Sequence, residues 1–239
     1  MSKIKKTKIN VKQANELTEA AYYLSLRAKR VLWLCLMQTY LTDYKQSGSD
    51  ENDEYESSFK VTVDEYHEVF NVNRVQASKD VRDGVLELSR SAVVFYPKEG
   101  QFARGMVARP WLIEAGSKDI RGSWIIDFNP KILKYIYGLS EQFTTYSLRD
   151  CGSLKNPRTI RLYESLCQFR SSGTWLTSRE WLNVRFDLPA SQKNNFAEMK
   201  RTFLDPALKL ISEKTPLTAA YTIDSDEKII FTIVPKTAA

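Results

Sequence analysis

A short pattern occurs twice, 116 positions apart: Tyr66-x-x-x-Phe70-Asn71-Val72 and Leu182-x-x-x-Phe186-Asp187-Leu188. Each copy sits in a similar order of predicted elements. In the first copy, Phe59–Val63 alternates as a strand, Asp64 caps a helix over Glu65–Phe70, and Asn71–Asn73 form a turn. A helix then runs from Arg74 to about Arg90 with Ala77, Val81, Val85 and Leu88 on one face. Strands follow at Val93–Tyr96, Met106–Ile113 and Ser123–Phe128, with a loop over Pro97–Gly105. In the second copy, Asn156-Pro157 opens a helix to about Arg170, since asparagine caps and proline tolerates the first helical position. Ser171–Gly173 ends that helix, Trp175–Thr177 is a short strand, and Ser178 caps a helix through Leu182 to Phe186. A longer turn spans Asp187–Asn195, a last helix covers Phe196 to Glu213, and a hairpin pairs Leu217–Ile223 with Ile229–Val234. Asp205-Pro206 either kinks this last helix or caps a new helical turn.

Helix, strand, helix, turn, helix, then a hairpin is the order of a winged helix, a helix-turn-helix followed by a β-hairpin wing. The recurrence predicts an α+β fold of two tandem winged-helix domains. Upstream, Leu17, Ala20, Ala21 and Leu24 have helical spacing behind an Asn15 cap. Ser25 caps a second helix through Val31–Met37, apolar all round and therefore central. The expected organisation is a flexible basic arm over 1–14, an N-terminal domain over 15–150 and a C-terminal domain over 151–239, with the boundary near Leu148–Lys155.

Several classes of chemistry are excluded. Seven apolar residues, Val31–Met37, form the longest such run, and a membrane span needs about 20. Met1–Lys6 has no apolar core of a secretory signal, so a cytoplasmic protein is expected. Three cysteines (Cys35, Cys151, Cys167) and one histidine (His67) offer no zinc spacing, and no cofactor is expected. Cys35 and Cys167 read as small core residues, and His67 as a partly buried helix residue. Gly100–Gly105 has the spacing of a phosphate loop but is followed by Met106-Val107 where Lys and Ser/Thr are required. The acidic stretch 50–56 reads as a solvated loop, and the five tryptophans as packing residues.

The charge distribution points to a polyanion. The chain holds 35 Lys and Arg against 29 Asp and Glu, and its first twelve residues carry five lysines and no acid. In the first module Arg74, Ser78, Lys79 and Arg82 lie opposite the apolar stripe, as phosphate-holding and guanine-reading groups should. Asp80, Asp83 and Glu87 dilute that basic face. In the second module Asn194, Glu198 and Arg201 follow i, i+4, i+7 spacing opposite Phe196, Met199 and Phe203, a set able to read adenine, cytosine and guanine. Lys193, Asn195 and Lys200 flank them. The expected DNA-binding set is thus Arg74, Ser78, Lys79, Arg82, Lys193, Asn194, Asn195, Glu198, Lys200 and Arg201.

Longer matches add a resemblance. The blocks Asn15–Tyr22 with Leu24-Ser25 and Lys29-Arg30, Ala77–Arg82, Val93–Tyr96, and Asn156-Pro157 with Arg161–Gln168 resemble the iteron-binding plasmid replication initiators. The resemblance runs from about Asn15 to Val234. It implies two winged-helix domains in pseudo-twofold relation and a bacterial, plasmid-encoded protein. It also implies monomers that bind direct repeats (iterons) at the origin, and dimers that repress their own gene at an inverted repeat. Host chaperones, the host initiator and the replicative helicase are the implied partners. Ser78, Lys79 and Arg82 align with the family's N-terminal DNA-facing helix, and Glu198, Lys200 and Arg201 with its C-terminal recognition helix. Asn195 and Thr202 stand where the family is richer in arginine.

Two other functions remain open at this level. A winged-helix repressor without a replication role would share the same DNA-facing residues. A DNA-nicking or priming enzyme has only the acidic stretch and the basic surface in its favour, and lacks a histidine pair and a metal motif.

Overall fold

A computed structural model describes residues 10–41, 56–119, 122–137 and 142–236. Residues 1–9 of the expected basic arm and the acidic stretch 50–55 lie outside the described residues. The chain divides into two compact units: Asn10–Leu17 with Leu24–Phe143, and Thr18–Tyr23 with the chain from Thr144 onward.

The elements of the first unit are β1 (Asn10–Ala14), α1 (Asn15–Glu19, continuing into the second unit), α2 (Leu26–Leu41), β2 (Ser58–Thr62), α3 (Val63–Phe70) and α4 (Arg74–Arg90). After them come β3 (Ala92–Phe95), β4 (Val107–Pro110), β5 (Leu112–Asp119), β6 (Ser123–Phe128) and α5 (Pro130–Ile136). Residues 10–14, expected within a flexible arm, form β1 instead, because Val11, Gln13 and Ala14 are fully buried. The helical stripe expected over Leu17–Leu24 also gives way: only Asn15–Glu19 is helical, although Leu17, Ala20 and Leu24 are all buried. Burial at helical spacing does not require helix once tertiary contacts take the side chains.

Helix α2 is the central core helix. Ser25 Oγ accepts from the N–H of Ala28 at its start, and Val31–Met37 are all buried. Helix α4 crosses α2 at Gly84. A Cβ there would stand 2.9 Å from the Arg27 carbonyl oxygen and 3.0 Å from Val31 Cγ2, so only glycine permits this approach. Ala77, Val81, Val85 and Leu88 are completely buried beside it, as their periodicity predicts. Thr62, not Asp64, caps α3, its hydroxyl accepting from the N–H of Glu65 at 3.1 Å. His67 Nδ1 donates to the Val72 carbonyl at 2.5 Å and so holds the turn before α4.

The sheet order is β2–β6–β5, all antiparallel, and β5–β6 is the first wing. Gly122 turns this wing at φ +79, and its carbonyl accepts from the N–H of Val63 at 2.9 Å. Strands β3 and β4 form a separate ribbon, and α5, capped by Asn129, was not foreseen.

The second unit holds β7 (Phe143–Ser147, from Thr144 on), α6 (Leu148–Ser153), α7 (Pro157–Gln168), β8 (Thr174–Ser178), α8 (Arg179–Arg185), α9 (Ala190–Asn194) and α10 (Phe196–Met199). A π-helical turn (Lys200–Leu204), α11 (Asp205–Lys214), β9 (Leu217–Ile223) and β10 (Lys228–Pro235) complete it. The segment Leu148–Lys155, expected as a domain boundary, carries α6, which buries Leu148 and Cys151. Asn156 caps α7 through the N–H groups of Arg158 and Thr159, and Ser178 caps α8 through that of Trp181. The sheet order is β8–β10–β9, antiparallel throughout, with β9–β10 as the second wing. Each unit is therefore a helix-turn-helix with a wing, and the α+β expectation of two winged-helix domains holds. No helix among the described residues is long and apolar enough to cross a membrane.

Candidate nucleic-acid interface

On α4 the outward face carries Arg74, Val75, Ser78, Lys79 and Arg82, all exposed. Of the three acids expected to dilute this face, Asp80 and Glu87 are committed elsewhere, which corrects the expectation for them, while Asp83 still pairs with Arg82 on the face. Asp80 is buried and accepts from Tyr66 Oη at 3.2 Å and Gln76 Nε2 at 2.7 Å. Glu87 accepts from the Ser25 N–H at 2.7 Å and the Ser25 hydroxyl at 2.6 Å, closing the start of α2. Asp83 is shared by Arg27 at 2.7 Å and Arg82 at 3.1 Å. The carboxylates thus tie α4 to α2 and α3, and cationic side chains dominate the free surface. Arg74 reaches Asp64 at 3.2 Å in an open pair, both side chains about two-thirds exposed. Such a pair is worth well under about 1 kcal/mol and leaves the guanidinium available.

Val75 escaped sequence reasoning. It is 70% exposed in the first turn of α4. Its phase relative to Ala77, Val81, Val85 and Leu88 is the available signal, since it falls off their stripe. An exposed valine at the start of such a helix is suited to a thymine methyl.

The second module is built differently from the expectation. Asn195 is extended at φ −133 and interrupts the helix, so Asn194 ends α9 while Glu198 lies on α10. Asn194, Glu198 and Arg201 therefore do not share one continuous helical face. Asn195 is occupied in any case, its Oδ1 accepting from the Glu198 N–H at 3.1 Å. Glu198 and Arg201 form a forked pair at 2.8 and 3.0 Å, with Arg201 74% exposed.

The π-helical turn explains Asp205-Pro206. The Asp205 N–H donates to the Lys200 carbonyl five residues back, and the helix passes through Asp205 at φ −63. Pro206 cannot donate an N–H, and the wider turn upstream absorbs that loss, so Asp205 is not a cap. Arg201 and Thr202 lie outside together, and Phe203 and Leu204 inside together. The freed Asp205 carboxylate accepts from Tyr221 Oη at 2.9 Å, joining α11 to the wing. Burial, helped by Asp205, pushes the Tyr221 hydroxyl up to about 12.

Two arginines missed at the sequence level hold this module in shape. Arg158 on α7 donates to the carbonyls of Phe186 at 3.3 Å and Asp187 at 2.6 Å. Arg179 on α8 donates to the Lys193 carbonyl at 2.6 Å, its guanidinium 5.5 Å from the Phe196 ring centre. Lys200 lies 5.3 Å from the same ring, and Lys193 pairs with Asp187 at 3.4 Å. Gln192 Nε2 donates to Thr202 Oγ1 at 2.9 Å, and Thr202 donates to the Glu198 carbonyl at 2.7 Å. The signal available in the sequence was weak: an arginine beside each predicted N-cap, Arg158 after Asn156 and Arg179 after Ser178.

The described residues contain no group of His, Cys, Asp and Glu able to hold a metal. All three cysteines are buried, and none is in a disulfide. Burial raises the Cys35 thiol strongly and the Cys167 thiol to about 12, so neither is a thiolate nucleophile at neutral pH.

Comparison with known proteins places this architecture. A family model described as "Initiator Replication protein, WH1" matches residues 10–167, and one described as "Initiator Rep protein, WH2" matches residues 178–233. An uncharacterized 27.6 kDa protein of Escherichia coli is 65% identical over 240 residues, spanning 99% of this chain and 98% of the relative. An uncharacterized 6.6 kDa protein of the same organism is 66% identical over 56 residues, 23% of this chain and 98% of the relative. Among solved structures, the Pi initiator protein in complex with iteron DNA shares the fold with a TM-score of 0.75 at 20% identity, over 98% of this chain and 100% of that one. Two winged-helix modules matched in order by both halves of one family make this chain a member of the replication initiator protein family.

Proposed function

We propose that this protein initiates plasmid replication by binding iteron repeats at its origin as a monomer. Each module lays its second helix-turn-helix helix in a major groove: α4 in the first, and α10 with the π-helical turn in the second. Arg74, Lys79 and Arg82 hold phosphates, and Ser78 supplements them. Arg201 reads a base edge or grips a phosphate, while Glu198 holds its guanidinium in position. Lys193, Asn194 and Lys200 contact the DNA around it, and Asn195 contributes by capping rather than by reading a base. The observation that carries the reading is α4, whose acids all engage the protein interior or neighbouring arginines while its cations face outward. That arrangement serves a polyanion. The protein acts by binding rather than catalysis.

The finer parts of the reading follow the family resemblance. A dimer represses the protein's own gene at an inverted repeat, chaperones shift dimer to monomer, and origin-bound monomers recruit the host initiator and replicative helicase in the bacterial cytoplasm. Footprinting of the purified protein on DNA flanking its gene, at two salt concentrations, tests this. Protection of several same-orientation repeats, each about two helical turns long, is expected, with weaker binding at the higher salt. Protection of a single inverted repeat alone makes the protein a dimeric repressor instead.

A further inference from the structure

A pocket of about 220 Å³ opens in the second unit between α7, β8 and the start of α8, away from the helices assigned to DNA. Its walls include Phe169, Trp175 and Trp181, and its polar lining is rich in acceptors. Glu19 brings a half-buried carboxylate with no cationic partner among the described residues. Gln168 Nε2 donates to Glu19 Oε1 at 2.6 Å, which orients the amide, since the reverse orientation would set two oxygens against each other. The Gln168 carbonyl oxygen is then left buried without a partner. Thr177 is 92% buried and its hydroxyl oxygen also has no partner. Ser165 spends its proton on the Arg161 carbonyl at 3.1 Å, so its oxygen can only accept.

Buried polar atoms without partners are rare and costly in folded proteins, about 1–3 kcal/mol each. Two of them stand in the wall of this pocket, closed off from its space until the wall parts, and with the half-buried Glu19 carboxylate beside them they define the chemistry of what enters. It must donate several hydrogen bonds, carry positive charge and tolerate aromatic walls. We infer that this pocket binds an organic cation of the guanidinium or ammonium class, from an arginine or lysine side chain of a protein partner or from a free polyamine. The inference is independent of the DNA-binding reading, because no residue assigned to DNA lines the pocket.

The test uses the full-length protein and the five indole N–H signals of its ¹⁵N-labelled form. Trp181→Phe assigns one wall signal. N-acetylarginine amide is titrated in, with N-acetylcitrulline amide as the neutral isostere and spermidine as the free amine. Saturable shifts of the Trp175 and Trp181 signals with arginine or spermidine, absent with citrulline, are expected. Glu19→Gln and Thr177→Val should each weaken the response at least tenfold while DNA binding is kept, and Thr177→Ser should retain it. The tighter of arginine and spermidine identifies the source. Equal binding of citrulline overturns the cation assignment, and no saturable shift, or a response unchanged in Glu19→Gln, overturns the site.

Discussion

Asn71 and Asp187, 116 positions apart, occupy the same left-handed backbone conformation, at φ +52 and +45, each following the phenylalanine near the end of its module's first helix-turn-helix helix. The equivalence extends upstream: Thr62 and Ser178, also 116 apart, cap α3 and α8 through their side-chain oxygens. Asparagine and aspartate tolerate this conformation best among residues with a Cβ. Asn71→Gly should therefore be near neutral, whereas Asn71→Val should cost about 1–2 kcal/mol. Urea unfolding of the two variants checks this. Equal stability would mean that the turn relaxes out of the left-handed region.

Gly84→Ala separates propensity from packing. Alanine gains about 0.5–1 kcal/mol within a helix. The new methyl would nevertheless meet Arg27 backbone and Val31 at 2.9–3.0 Å, and overpacking costs about 1–3 kcal/mol. A net loss of roughly 1–2 kcal/mol is expected, read as a lower thermal midpoint. A stabilised variant would show that α2 and α4 can separate freely.

Arg201→Ala should weaken DNA binding by about 1–3 kcal/mol and relax preference at one base position if the guanidinium reads a base. Affinities for a set of single-base variants of the repeat decide the point. Loss that is uniform across them would make Arg201 a phosphate contact. Glu198→Ala releases the fork and should loosen the same preference.

Val75 should contact a thymine methyl. Replacing thymines one at a time by deoxyuridine removes only that methyl, worth on the order of 0.8 kcal/mol. One position in the half-site facing α4 should respond, and Val75→Ser should abolish that response. If every thymine responds alike in both proteins, the valine makes no such contact.

The buried thiols set an alkaline limit. The Cys167 pKa is raised from 9.0 to about 12 by burial, the leading cause, and Cys35 is raised in the same sense. An acid whose folded pKa lies above its unfolded one binds its proton more tightly when folded. Its contribution is complete below about pH 9 and is lost as pH rises from 9 towards 12. Urea midpoints at pH 7, 8, 9 and 10 should fall across the last two values, and less steeply in Cys167→Ala. Identical slopes for the two proteins would remove the thiol from the account.

Much of the candidate interface was legible because it depends on periodicity. Arg74, Ser78, Lys79 and Arg82 face outward because Ala77, Val81, Val85 and Leu88 face inward, and a 3.6-residue period dictates both. The acids escaped this logic. Asp80, Asp83 and Glu87 also find partners on α3, on α2 and at Ser25 just before it, and no local pattern announces a pairing with residues 14 to 62 positions away. Arg158 and Arg179 were missed for the same reason, since their acceptors are backbone carbonyls on other elements.

The helix-turn-helix core and wing of each module, the caps at Ser25, Asn156 and Ser178 and the αL-tolerant turns at Asn71 and Asp187 were determined by the sequence itself. Local geometry and one-sided burial suffice to specify each of them. The tertiary structure alone decided that residues 10–14 form a strand, that only Asn15–Glu19 of the first stripe is helical and that Leu148–Ser153 forms a helix. It also decided that Asn195 breaks the second recognition segment and that a π-helical turn carries the chain past Pro206. In each of these places local preference is weak or divided, and long-range burial and hydrogen bonding choose between backbone states that differ by little.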